Sequence, residues 1–456
     1  MKINVFTKQT LADLHTPVSI YLKLREKFPE CLLLESSDYS GNQNAQSIIC
    51  FEPLSTIEVK NNKYMVINEL NNDIEKGEVN SAVEIVQQFC DRFEVDNEDV
   101  VNGVFGYTAF NAVRYFEKNL YEEDQENDFP DIKYSFYRYL IVLDHFKETM
   151  TFIENCPEGK EASLDRIHTI VTKQDVVTFP FKTEGGERSN MTDADFKSMV
   201  TKCKAHCQRG DVFQVVPSRS FQQSFKGDEF AVYRQLRSIN PSPYLYYFDY
   251  VDYKIFGSSP EAQIKVVDGI AEIHPIAGTV RRTGDVQEDA ALSKQLSADP
   301  KENSEHIMLV DLARNDLSKH CADVNVAKFK EIQYFSHVIH LTSVVKGNLN
   351  PSVSPYQILA DTFPAGTLSG APKHRAIEII ESLEPNYRGY YGGGIGMIGL
   401  NGDLNHAIMI RSFYSHQGSL TYQSGAGIVI HSTEEGELAE INHKLRALNT
   451  AIKSAR

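Results

Sequence analysis

The stretch Gly394-Ile-Gly-Met-Ile-Gly-Leu-Asn-Gly-Asp-Leu-Asn-His-Ala-Ile-Met-Ile-Arg-Ser-Phe-Tyr414 decides the fold class. Apolar runs flank the Asn401-Gly402 dipeptide, a strong short-range signal for a β-hairpin. The spacing predicts strands over 394–400 and 404–414, then a third over 420–430 after Gln417-Gly418. Consecutive strands joined by tight turns pair antiparallel. Further upstream, strands are expected over 31–34, 47–51, 139–144, 211–217, 244–250 and 270–276, with amphipathic helices such as 81–93 and 374–383. The expected class is therefore α+β, large antiparallel sheets with flanking helices, rather than a doubly wound parallel sheet.

The polar, Gly-bearing stretch Lys182-Thr-Glu-Gly-Gly-Glu-Arg-Ser-Asn190 reads as a linker. It divides the chain near residue 187 into parts 1–187 and 188–456, packed together as one intertwined body. Just beyond it, Thr192-Asp-Ala-Asp195 has the form of a helix N-cap with an acid at the third helical position. Phe196, Met199, Val200, Cys203 and Cys207 then fall on one helix face, and Gly210 stops the helix. This assigns both thiols to the core and argues against a Cys203/His206/Cys207 metal site. The acidic run 122–131 reads as a solvated loop.

The chain has 456 residues with 62 Asp+Glu against 46 Lys+Arg, a formal net charge of −16. That argues against a nucleic-acid binder, which carries a basic footprint, and against a polybasic membrane-surface protein. An apolar share of 41% and a charged share of 24% are those of a folded globular chain. No apolar signal segment opens the sequence, and no apolar run approaches the ~18 residues a membrane span needs. Seven dispersed Cys residues read as reduced thiols. A cytoplasmic protein is expected.

Three clusters carry chemistry. In Ser424-Gly-Ala-Gly427 the side chains are almost absent, so a ligand can approach the amides and successive N–H groups can cradle an anion. In the helix that follows, Glu437, Glu440 and Lys444 stand at i, i+3 and i+7, on one face. A second helix opens with Glu302 and Glu305, also three apart, and continues through Asp311-Leu-Ala-Arg-Asn-Asp316, where Arg314 pairs naturally with Asp311 or Asp316. Crowded carboxylates without Cys or His partners suit Mg²⁺, which takes one or two protein carboxylates and keeps waters. The third cluster, Phe363-Pro-Ala-Gly-Thr-Leu-Ser-Gly-Ala-Pro-Lys373, is a rigid loop lacking the spacing of a nucleotide-binding P-loop.

Taken in order, Pro275-Ile-Ala-Gly-Thr279, Asp311–Asp316, Phe363–Lys373, Tyr390-Tyr-Gly-Gly393 and Ser424–Gly427 resemble the motifs of the chorismate-utilising enzymes, from about residue 190 to the end. A weaker match, Leu32-Leu-Leu-Glu-Ser36, extends this to the N-terminal part. Within the family the chain is most similar to component I, the large subunit, of anthranilate synthases. Aminodeoxychorismate synthases carry a nucleophilic Lys where this chain has Ala277. Isochorismate and salicylate synthases carry a water-activating Lys where it has Gln214. Val280 departs from the Arg that often follows the threonine of the first motif.

The resemblance implies Mg²⁺-dependent amination of chorismate by ammonia, with loss of pyruvate, at the first committed step of tryptophan biosynthesis. It implies Mg²⁺ held by Glu305 and Glu440, with Glu302 and Glu437 behind them or acting through water. The amides of Gly425, Ala426 and Gly427 and the amine of Lys444 would assist at the ring carboxylate. Tyr391 and Arg411 would hold the enolpyruvyl carboxylate, Thr367 would touch the ligand, and Glu261 would be the acid for the leaving hydroxyl, with His340 as a second donor or an orienter. Singly, His340 reads as a core histidine, Tyr391 as a turn aromatic and Arg411 as a cross-strand ion pair. Glu35, Ser36, Asn240, Pro243 and Tyr244 match a tryptophan feedback site, with Leu245 where Met is common. Ammonia would come from a separate glutamine amidotransferase subunit, component II. Competing expectations are aminodeoxychorismate synthase component I and a catalytically inactive binder of chorismate or tryptophan.

Overall fold

The structure, a computed structural model, describes residues 1–36, 45–97, 100–121, 129–334 and 338–455. The deciding hairpin forms as expected, with Gly394–Gly399 antiparallel to Leu404–Ile408. Its turn is closed by the Asn401 side chain, whose Oδ1 accepts from the Asp403 amide at 3.1 Å, and by Gly402 at φ 93°, a conformation glycine adopts freely. The strand expected over 404–414 is in fact two, Leu404–Ile408 and Ser412–His416. Between them Arg411 takes φ 50°, which breaks the ladder. The strand expected over 420–430 ends at Gly425. There the Ala426 amide turns to the Pro217 carbonyl at 3.2 Å, and only a single bridge, Val215 to Ile428, continues the pairing.

Strands from both sides of residue 187 hydrogen-bond directly. Leu32–Glu35 pairs with Tyr244–Asp249, and Gly103–Thr108 pairs with Gly394–Gly399. The pairing is predominantly antiparallel, as the α+β reading required. Other expectations need correcting. The supposed linker is largely a strand, Phe181–Ser189, paired with Ser218–Gly227. It is polar because every residue after Phe181 is exposed. The strand expected over 211–217 shrinks to Gln214–Val215, paired with Gly370–Ala371. That over 270–276 is the pair Ile270–Ile273 and Ile276–Arg281, both laid on Val338–Leu349. Of the acidic run 122–131, residues 122–128 lie outside the described residues. Asp131 is buried rather than solvated, held by Arg114 at 2.9 Å.

The helices follow their caps. Ser81 caps Ala82–Cys90. Thr192 and Asp195 form a capping box for Asp193–Arg209, which Gly210 ends at φ 81°. Cys203 and Cys207 lie in the core, as the periodicity predicted. On the C-terminal helix Glu434–Ser454, Ile441, Leu445, Leu448 and Ile452 are buried. They pack it against Asp193–Arg209 and Phe230–Ile239. No described helix is long and apolar enough to cross a membrane.

Removing the capping hydroxyl with Thr192→Ala is expected to lower unfolding free energy by about 1 kcal/mol in a denaturant titration. A loss below the error of that titration would show that the cap contributes nothing.

Candidate functional site

A cleft of about 1180 Å³ opens where the sheet meets two helices. Glu437, Glu440 and Lys444 enter it from Glu434–Ser454, and Glu302 and Glu305 from Pro300–Ser318. Glu261, His340, Thr367, Tyr391, Arg411, Gly425 and Gly427 complete the wall. Residues 183 positions apart in sequence, Glu261 and Lys444, thus share one cavity. Of the residues assigned to chemistry from sequence, only Ala426 lies outside this lining.

Arg411 reaches the cleft because of the break in the ladder. Its left-handed backbone, uncommon for a residue with a Cβ, lets its carbonyl accept from the Ser258 amide at 3.2 Å. Its Nη1 donates to Asn240 Oδ1 at 3.4 Å. Burial lowers the guanidinium pKa from its usual value, against the attraction of Glu261 and Glu440.

Glu261 follows the strand Tyr253–Ser259 through Pro260. Its Oε1 accepts from the Thr367 hydroxyl at 3.1 Å. Burial pushes the carboxyl up to about 8, opposed by the Thr367 bond and the charges of Lys444 and Arg411. At neutral pH it therefore keeps its proton, the state a general acid needs. His340 sits opposite Thr279 in the Val338–Leu349 strand, with Nδ1 3.2 Å from the Gly278 carbonyl. A carbonyl only accepts, so Nδ1 carries the hydrogen. Burial lowers this imidazole to about 4, so at pH 7 it is neutral. That suits an orienter or acceptor better than a cationic donor.

The glycine cradle is narrower than the sequence suggested. The Ala426 amide is taken by Pro217 and its side chain is fully buried. The Gly425 amide faces the Tyr391 hydroxyl, which burial nonetheless pushes up to about 12. Gly427 lines the cleft. Lys444 is fixed between the Gly425 carbonyl at 3.0 Å and Glu440 at 3.4 Å.

The carboxylates differ in their surroundings. Glu437 is only 7% exposed, and no ion pair is formed to it among the described residues. Gly278, at φ 68°, leaves room for Glu302: a Cβ there would lie 2.9 Å from Glu302 Oε2. Among the described residues no three His, Cys, Asp or Glu side chains form a ready metal cage. Hard oxygen donors approaching from two helices fit Mg²⁺ held through one or two carboxylates, waters and a ligand. Arg314 pairs with Asp311 at 3.3 Å on the surface. Asp316, which is buried, instead pairs with Lys373 at 2.9 Å.

The residues matched to the feedback site also gather. Glu35 stands opposite Leu245 in the strand pair, which places Ser36 by Pro243 and Tyr244 at the strand end. The Glu35 carboxylate is engaged inward by Tyr233 at 2.6 Å and by Arg237 at 2.9 Å. Asn240 ends the helix Phe230–Ile239 and also lines the cleft. That dual position was invisible in sequence. His443, another cleft residue, was missed although the i+3 spacing from Glu440 on the same helix would have found it.

This constellation agrees with known proteins. Residues 29–450 match the chorismate binding enzyme family. The chain belongs to that family. This chorismate binding enzyme is 37% identical to anthranilate synthase component 1 of Acetivibrio thermocellus, covering 98% of this chain and 95% of the relative. It is 36% identical to that of Thermus thermophilus, covering 100% and 99%. Among solved structures, anthranilate synthase component I of Streptococcus pneumoniae superposes with a TM-score of 0.75 at 29% identity, covering 97% and 99%. The menaquinone-specific isochorismate synthase of Escherichia coli shares the fold, with a TM-score of 0.76 at 19% identity over 99% and 94%.

Glu261 gives this chorismate binding enzyme a pH signature. Its carboxyl rises from 4.5 to about 8 on folding. Between those values the unfolded chain releases the proton and the folded chain keeps it, so Glu261 costs stability as pH rises. Relative to Glu261→Gln, wild type is expected to lose stability from about pH 4.5 to about pH 8, by up to ~5 kcal/mol. A pH-independent difference between the two would place an ionised carboxylate there.

Proposed function

We propose that this enzyme converts chorismate and ammonia into anthranilate, pyruvate and water. The observation that carries the reading is the character of two cleft positions. Ala277 and Gln214 both line the cavity, and neither can supply the amine nucleophile or water-activating base that a lysine would. Neutral ammonia needs neither. The names of the relatives, anthranilate synthase component 1, support the same choice.

Arg411 and Tyr391 would hold the enolpyruvyl carboxylate, since a guanidinium fork matches a carboxylate. Lys444 and the Gly427 amide would face the ring carboxylate. Glu305 and Glu440, with Glu302 and Glu437 beside them, would hold Mg²⁺. When bound, the ion supplies positive charge at that carboxylate. Ammonia then attacks C2 with its lone pair as the C4 hydroxyl leaves, taking the proton of Glu261 to depart as water. His340, held neutral, orients the leaving side of the ring. Loss of the C2 proton and of pyruvate leaves the aromatic product.

The relatives' designation as a first component supports a second, a glutamine amidotransferase delivering ammonia. Feedback by tryptophan is supported by Asn240. It begins the segment that leads to Pro243 and Tyr244, and it donates to Ser258 Oγ at 3.2 Å while accepting from Arg411. Tryptophan bound at Glu35–Ser36 and Pro243–Tyr244 could reach the substrate arginine through one side chain, biasing two conformations.

Purified protein supplied with chorismate, MgCl₂ and ammonium is expected to develop anthranilate fluorescence; folded protein that gives none overturns the reading. Glu440→Ala is expected to lower Mg²⁺-dependent activity about tenfold or more, and full activity would remove Glu440 from the metal. Tryptophan titrated by calorimetry is expected to bind and to slow the reaction. No heat together with an unchanged rate rules out the feedback site.

A further inference from the structure

Glu384 and Arg388 lie outside the cleft and touch none of its carboxylates, yet they connect three segments of its wall. Both side chains are buried, at 5% and 0% exposure, and pair at 2.6 Å. Isolated charges would be prohibitively costly there, so each must be satisfied by fixed partners. Arg388 Nη1 donates to the carbonyl of Leu368, the residue after Thr367, at 2.6 Å. Its Nη2 donates to the Val216 carbonyl at 2.5 Å. Its guanidinium lies 5.9 Å from the Tyr391 ring centre, and its carbonyl accepts from the Tyr391 amide at 3.3 Å.

Glu384 carries the clamp to the glycine loop. Its Oε1 accepts from both the amide and the hydroxyl of Ser218, at 2.7 and 2.8 Å. Ser218 in turn pairs with Gly425 across the sheet. Thr367, Tyr391 and Gly425 come from three separate segments: Tyr391 is one hydrogen bond from this pair, Thr367 adjoins Leu368, which is bonded to it, and Gly425 pairs with Ser218, which is bonded to it. A lone surface ion pair would constrain little. A planar guanidinium with each of its three nitrogens bonded fixes distance and angle together.

We propose that Glu384 and Arg388 are positioning residues, a buried clamp that sets the substrate-binding wall before chorismate arrives. The proposal rests on the chorismate reading of the cleft. It separates two halves of the site. The wall made by Thr367, Tyr391 and Gly425 depends on the clamp, whereas the glutamates of the other two helices do not.

The isosteric variant Glu384→Gln keeps an oxygen for Ser218 but removes the charge that fixes Arg388. It is expected to lower kcat/KM for chorismate at least tenfold while the half-saturating Mg²⁺ concentration stays within about threefold. Arg388→Lys, which keeps charge but loses the fork, is expected to lower kcat/KM for chorismate by a similar factor. Folded Glu384→Gln with kcat/KM within threefold of wild type overturns the proposal, as does an equal weakening of Mg²⁺. Hydrogen exchange on ligand-free wild type decides the matter even where the variants do not fold. Residues 214–218 and 366–371 are expected to be protected before substrate is added, and rapid exchange there that slows only with chorismate overturns the clamp. Wild type that makes no anthranilate defeats the reaction instead, and the exchange result still stands on its own.

Discussion

Removing charge from water is the constraint on which this structure turns. A buried ionic group must find a partner inside the protein or keep its place for a ligand. The protein does both, in adjoining regions. Asp316 with Lys373 and Glu384 with Arg388 are closed pairs that also fasten backbone carbonyls around the Phe363–Lys373 loop. In the cleft the charges are less evenly matched. Arg411 is half-buried, and among the described residues its side chain makes only a long contact to Asn240; Glu437 is buried, with no ion pair among the described residues. Such a cavity is complementary to something that brings carboxylates and a cation together.

The same constraint separates the acid from its neighbours. Glu261 responds to burial by keeping its proton, and His340 responds by losing its own. Two titratable groups facing one cavity are thus driven in opposite senses, and their states at neutral pH follow from desolvation. Lys444, half exposed and anchored on the Gly425 carbonyl, stays near the solvent side. The cleft therefore grades from a dry floor, suited to proton transfer, to a wetter rim.

Local chemistry in the sequence was legible wherever a residue type has one dominant backbone meaning. Thr192, Asp195 and Gly210 bounded their helix, and Asn401-Gly402 closed the hairpin. Breaks without a glycine or proline were not legible: nothing in Ile408-Met-Ile-Arg411 announces the left-handed arginine that splits a strand and turns it into the cleft. The supposed linker failed because an exposed strand and a loop have the same polar composition. Most candidate site residues could be named from motif order, since each motif keeps its spacing. Ala426 could not be excluded that way, because whether an amide is free depends on a partner, Pro217, that is distant in sequence. The cleft position of Asn240 and the Glu384–Arg388 pair escaped for the same reason.

We propose that the protein offers two incomplete halves, carboxylates on two helices and a cationic, glycine-lined wall, which Mg²⁺ and chorismate would complete together. With no ready cage of three ligands among the described residues, neither Mg²⁺ nor chorismate should bind tightly alone. Calorimetric titration of each in the absence and presence of the other measures this coupling, which must be reciprocal. Each is expected to tighten the other by about tenfold or more, corresponding to about 1.4 kcal/mol. Affinities that are independent of one another would contradict the account.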